Sequence, residues 1–157
     1  MKEYMMRFRS NASAGLACLT FLFLLCAGPA AAAMKITATT MPLPEDEKPV
    51  LLAGLGYGGE WTVAFTSIRL DRDPNEGADP VRPVWTLEAT SSRPMVQKVI
   101  IEIHLLDGSG KKVKSVKQFV VVKANTAVQE IPIKMKVKRA DWERAERVRI
   151  KTTFTVL

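Results

Sequence analysis

The sequence predicts an all-β chain folded as an antiparallel sandwich with one short helical turn. Three observations lead there. From Trp61 onward, apolar and polar residues alternate with a period of two, as in strands that bury one face and wet the other. The stretches that alternate recur every 10–15 residues, without room between them for crossover helices, so neighbouring strands must run antiparallel. Asp107-Gly108-Ser109-Gly110 separates two of them, and these residues tolerate the positive φ that a tight hairpin needs.

The elements follow in order. Met34 to Gly59 reads as an extended, flexible lead-in. It holds Pro42, Pro44 and Pro49, the acidic triplet Glu45-Asp46-Glu47, and then Gly54, Gly56, Gly58 and Gly59, and no helical period survives that punctuation. The domain proper spans residues 60–157. Trp61 to Leu70 is the first predicted strand, with Trp61, Val63 and Phe65 on one face. Asp71 to Pro83 is a loop rich in Asp, Pro and Gly. Val84 to Thr90 alternates, and Val96 to Leu106 places Val99, Ile101, Ile103 and Leu105 inward. Lys112 to Val122 returns from the hairpin, and Ala124 to Thr126 turns again. Val128 to Lys138 sets Ile131, Ile133, Met135 and Val137 inward and Lys134, Lys136 and Lys138 outward. Ala140 to Arg147 is a helical turn or two, with Asp141 as its N-cap and Trp142 as a plug for the core. Arg147 to Leu157 is the last strand, with Val148, Ile150, Phe154 and Val156 inward.

Residues 1–33 read as a secretory signal peptide. Lys2, Arg7 and Arg9 precede an apolar run from Leu16 to Cys26 broken only by Thr20; Gly28 and Pro29 end it, and Ala30 to Ala33 follow. A positive start, a short apolar run and an A-x-A site form an export signal cleaved after Ala32 or Ala33. The run is shorter than the roughly 18 apolar residues of a bilayer span. Lipidation at Cys26 is disfavoured, because Leu25 stands where a lipoprotein has a small residue and Cys26 lies inside the apolar run. Cys18 and Cys26 are the two cysteines of the chain, and both leave with the signal. The remaining 124 residues have neither a disulfide nor a thiol nucleophile. They also lack an N-x-[ST] sequon, since Asn75 and Asn125 have the wrong followers. Small exported domains usually carry disulfides, so both absences point to a bacterial envelope protein, periplasmic or secreted.

Charge is uneven. Residues 34–110 carry seven basic and eleven acidic side chains, a net of −4, whereas residues 111–157 carry thirteen basic and four acidic, a net of +9. Such asymmetry points to an acidic partner surface or a polyanion. Lys134, Lys136 and Lys138 share one strand face, and so do Arg147, Arg149 and Lys151. Two such rows on one sheet would form a basic patch; the alternative is edge protection, since lysines on exposed strands discourage edge-to-edge pairing. Aromatics do not interleave with the rows, so nucleic acid is not the expected partner.

The string Ile103-His104-Leu105-Leu106-Asp107, followed by Gly108 and Gly110, resembles the hairpin of bacterial secreted Ig-like domains named for an F-x-L-Y-D motif. Ile103 stands for the Phe and Leu106 for the Tyr. The resemblance covers residues 84–157. It implies an Ig-like or fibronectin-like sandwich acting as an interaction module, and it implies no active site.

The remaining motifs are sparse. Gly54, Gly56 and Gly59 spell G-x-G-x-x-G, but the predicted strand from Trp61 occupies the place where a phosphate-binding helix must start. Asp71, Asp73, Asn75 and Asp79 alternate as oxygen ligands of a calcium loop do, although Gly77 falls one position late, Pro74 is stiff, and the twelfth position is Arg82. His104 is the single histidine and cannot supply the clustered imidazoles of a zinc or copper site. Met34, Met41, Met95 and Met135 are scattered without an M-x-M pair. No spacing picks out a pair of carboxylates for glycoside chemistry. The expectation is a non-catalytic binding or assembly module of the envelope that meets an acidic partner through Lys134, Lys136, Lys138, Arg147, Arg149 and Lys151, without a cofactor. The alternative is a small calcium-binding protein using Asp71, Asp73, Asn75 and Asp79. Residues 34–59 are a further candidate for self-association, by adding a strand to a neighbour's open edge.

Overall fold

The computed structural model describes residues 33–71 and 77–156; the predicted export signal before Ala33 lies outside them. The described chain is all-β, with strands β1 (Ala33–Pro42), β2 (Val50–Leu51), β3 (Gly56–Tyr57), β4 (Val63–Asp71), β5 (Val84–Ser91), β6 (Gln97–Leu106), β7 (Lys112–Val122), β8 (Thr126–Lys134) and β9 (Arg147–Val156), and one helix, α1 (Arg139–Glu143). Sheet A has the order β1-β9-β6-β7. Sheet B has the order β2-β4-β5-β8, with β3 also on β4. Every strand pair is antiparallel.

The period-two pattern produces this directly. Val99, Ile101, Ile103, Val148, Ile150 and Phe154 of sheet A are buried, as are Val63, Phe65, Leu70, Trp85, Leu87 and Ile133 of sheet B, and both sets belong to one core. Phe154 joins the layers: its ring centroid lies 6.2 Å from Phe65 and 6.4 Å from Tyr57. Thr152 is the polar exception on the inward face of β9. It is buried, and its hydroxyl meets that of Thr37 at 2.7 Å, which supplies the partner a buried hydroxyl requires.

Four expectations change. Residues 34–42 are not part of a flexible lead-in; they form β1 and pair with β9 along its whole length. Pairing supplies what this weakly alternating segment lacks in apolar content, and Met41 packs against the core. The same result places Met34 and Met41 in a strand. Gly56 is likewise sheet, not hinge, and a Cβ there would lie 2.9 Å from the Val63 carbonyl oxygen, so glycine lets β3 approach β4. Trp61 precedes β4 and is 42% exposed. Finally, α1 starts after Lys138, with Asp141 in its first turn and no side-chain cap. Trp142 does pack on the core, edge-on to Trp85 at 6.5 Å.

The β6–β7 hairpin uses Gly110 at φ +82°; Gly108 does not take a positive φ. Asp107 organises it, its Oδ1 accepting from the Ser109 N–H at 3.0 Å, the Ser109 hydroxyl at 2.6 Å and the Lys111 N–H at 2.9 Å.

Phe154→Ala removes the ring that joins the sheets, so it should cost about 3–5 kcal/mol, the usual range for a buried Phe truncation. Urea unfolding followed by far-ultraviolet circular dichroism measures this; a loss below about 1 kcal/mol would contradict the core position.

Candidate functional site

The two basic rows do not share a sheet. Lys134 closes β8 in sheet B, where it is in register with Val84 and, across it, Asp71. Lys136 and Lys138 follow it, exposed, on a segment tied back by the Met135 N–H to the Pro83 carbonyl and the Val137 N–H to the Val81 carbonyl. Arg147, Arg149 and Lys151 lie on β9 in sheet A. Ile131 and Ile133 point inward from one sheet and Val148 and Ile150 from the other, so the alternating cations face away from each other on opposite outer faces. The six cations therefore do not form the single patch that a shared sheet would make. Helix α1 carries the chain from sheet B to sheet A, which makes consecutive strands non-neighbours.

Other residues join the β9 row instead. Lys151 is in register with Glu102 of β6, which is in register with Lys117 of β7. Arg149 aligns with His104 and Ser115, and Arg147 with Leu106 and Lys112. The outer face of sheet A thus gathers Arg147, Arg149, Lys151, Lys112 and Lys117 around one acid, Glu102. Its Oε1 lies 3.7 Å from Lys151 Nζ and 3.8 Å from Lys117 Nζ, and its Oε2 lies 3.3 Å from His104 Nε2. The side chain is 20% exposed. Burial raises the Glu102 pKa, but the His104 hydrogen bond and the charges of Lys151 and Lys117 outweigh it, so the carboxyl sits below its ordinary value. Arg149 is held by a 3.1 Å hydrogen bond from its Nε to Thr40 Oγ1 on β1.

The outer face of sheet B is different. Arg69 bonds Asp71 at 2.9 Å and approaches Glu130 at 3.9 Å, and Glu88 accepts the Ser67 hydroxyl at 2.7 Å. Asp71, Glu88 and Glu130 stand there against Arg69, Lys134, Lys136 and Lys138, so that face offers no comparable excess of positive charge. A reading of the sequence misses Lys112, Lys117 and Glu102 as members of the site: the register shifts by one residue between Leu105 and Leu106, and only that shift brings Lys117, not Val116, opposite Glu102.

Of the calcium candidates, Asp73 and Asn75 lie outside the described residues. Asp71 already accepts from Arg69 Nε and, at 3.0 Å, from the Thr86 hydroxyl. Asp79 accepts from the Arg139 N–H at 3.2 Å. Among the described residues, no group of three or more His, Cys, Asp or Glu side chains is placed to hold a metal ion. The G-x-G-x-x-G stretch is followed by β4. Its Gly54 to Gly58, with Leu52 and Thr66, line an open hollow of about 310 Å³, and Gly59 does not. No described helix is long and apolar enough to cross a membrane.

No protein-family model matches the chain, and no curated protein matches it. Among solved structures, the chain is similar to the enzymatically active domain of bacteriophage CBA120 tailspike protein 4, with 11% identity over 78% of this chain and a TM-score of 0.28. The match spans 17% of that tailspike chain. At that identity and TM-score, the likeness says nothing about chemistry here.

Glu102→Gln should lower the melting temperature at pH 7 by leaving Lys117 and Lys151 without their shared counter-charge. Because the folded pKa is depressed, the stabilisation is full above the ordinary glutamate value of about 4.3 and disappears as pH falls through the folded value. The gap between wild type and variant in thermal melts should therefore close below about pH 4. A gap independent of pH would show that the charge of Glu102 contributes nothing.

Proposed function

We propose that this chain is a non-catalytic binding module of the bacterial envelope, exported by its N-terminal signal, which engages an acidic partner through the outer face of sheet A. The observation that carries the reading is the five cations, Arg147, Arg149, Lys151, Lys112 and Lys117, on the strands flanking β6, with Lys117 and Lys151 in register with the single Glu102, Arg149 with His104, and Arg147 and Lys112 with Leu106. Like charges on neighbouring strands repel, and one carboxylate does not neutralise five cations. An acidic surface laid on this face would relieve that repulsion and gain the long-range attraction that speeds encounter. The Ig-like resemblance of residues 84–157 points to the same class of role. The six-residue site read from the sequence becomes in this proposal a three-residue core, Arg147, Arg149 and Lys151, joined by Lys112 and Lys117.

The test uses immobilised polyglutamate as the acidic partner. Wild type should be retained at low salt and released as the screening length falls below about 8 Å, near physiological ionic strength. R147E/R149E/K151E should flow through, whereas K134E/K136E/K138E, which carries the same change in charge, should be retained. Equal retention of the two variants would overturn the assignment to sheet A. No retention of wild type would overturn the electrostatic reading altogether.

A further inference from the structure

One end of the sandwich collects nearly all the exposed apolar side chains. Strand pairing defines that end: β1, β4, β6 and β8 begin there, and β5, β7 and β9 finish there. Nine large hydrophobic residues are exposed among the described residues, and eight of them sit at this end, Leu51 being the exception. Trp61, Met95 and Val96 belong to its connections, at 42%, 55% and 58% exposure. Met34, Ile36, Phe119, Val121 and Val128 lie within the four strand residues nearest the end. Met34, Ile36, Phe119 and Val121 lie on the outer face of sheet A and Val128 on that of sheet B, so both faces are apolar where they border this end, and Phe119 and Met34 are 75% and 68% exposed. The opposite end, with the Asp107 hairpin, α1 and Glu45-Asp46-Glu47, carries none of them.

Chance scattering of surface hydrophobics needs no explanation, but a concentration of this kind marks an interaction surface. The chemistry around it indicates what covers it. Lys35, Lys98 and Lys123 are exposed at this end and Glu60 is the one exposed acid near Trp61. Beneath the connection, Arg93 is 8% exposed; it donates through Nη1 to the Gln97 side chain, and its Nε has no partner. The described residues give it no carboxylate. An apolar surface with Trp and Phe, ringed by lysines, is complementary to a bilayer interface, where aromatic rings settle at headgroup depth and basic residues near the surface each gain from anionic lipid.

We infer that this end is a membrane-docking surface that inserts Trp61, Met95, Val96 and Phe119 into the interface of an anionic bilayer, with Lys35, Lys98 and Lys123 against its headgroups. It adjoins the basic outer face of sheet A, where Phe119 stands two residues from Lys117, so Trp61 quenching and the Met95 and Val96 changes, which lie off that face, tell the two readings apart. Docking by this end would leave Arg147 and Arg149, nearest the opposite end of β9, away from the bilayer, with Lys151 two residues from the level of Phe119.

The experiment uses residues 33–157, which carry every described element and the whole described core, with vesicles of 30% anionic phospholipid in a zwitterionic background, and brominated acyl chains as quenchers. Trp61 is the reporter. Trp85 is in register with Leu70 and Ile133 and packs on Trp142, at the far end. The protein should float with the vesicles, and bromolipid should quench a component of the fluorescence that W61F removes. M95D/V96D, with both changes on exposed side chains, should keep its melting temperature and lose at least tenfold in vesicle affinity. R147E/R149E/K151E should still show the Trp61 quenching. Absence of flotation would overturn the inference. So would flotation without Trp61 quenching, which means docking by another surface, and so would sedimentation showing a dimer that M95D/V96D dissociates, which means a second copy covers this end.

Discussion

The double pairing of β9 is the constraint on which the rest of the structure depends. It lies between β1 and β6, bonded along both sides, and every second residue enters the core: Val148, Ile150, Thr152 and Phe154 are fully buried. A strand so placed cannot slip by one residue without turning its apolar set out and its cations in. That register fixes Arg147, Arg149 and Lys151 on the outer face, and the register of β6 with β7 brings Lys112 and Lys117 to the same side. Core and basic face are two consequences of one alternation.

The same logic explains why β1 is ordered structure. Its sequence, with only Met34, Ile36 and Ala38 alternating before Met41, carries too little apolar surface to select a face alone. Paired with β9, it satisfies the backbone groups that β9 would leave open, supplies Thr37 to the buried Thr152, and offers Thr40 to Arg149. The first described strand thereby closes the sheet and steadies one of its surface cations.

Much of the fold is legible in the sequence because period-two alternation is a local signal. The six strands expected from Trp61 onward appear close to their expected places, and the inward sets Val99–Leu105 and Ile131–Val137 are those that are buried. What is not legible depends on distant partners. β1, β2 and β3 are set by pairing with β9 and β4, which no local pattern in residues 33–57 reveals. The site divides in the same way. Arg147, Arg149 and Lys151 are visible as a row, but whether Lys134 or Lys117 stands beside them depends on which sheet each strand enters. Consecutive strands usually lie side by side; here α1 takes β9 across to the other sheet, and the nearest basic row changes with it. The apolar end is hidden for the same reason: Trp61, Val96 and Phe119 are far apart in sequence and share an end only through antiparallel pairing.

The most direct test of this arrangement follows backbone amide chemical shifts while a short oligoglutamate is added. Shifts confined to Arg147–Lys151, Lys112–Lys117 and the intervening Glu102 and His104 are the predicted result, since those residues share one face through β6. Shifts centred on Lys134–Lys138, or spread evenly over every exposed lysine and arginine, would contradict it.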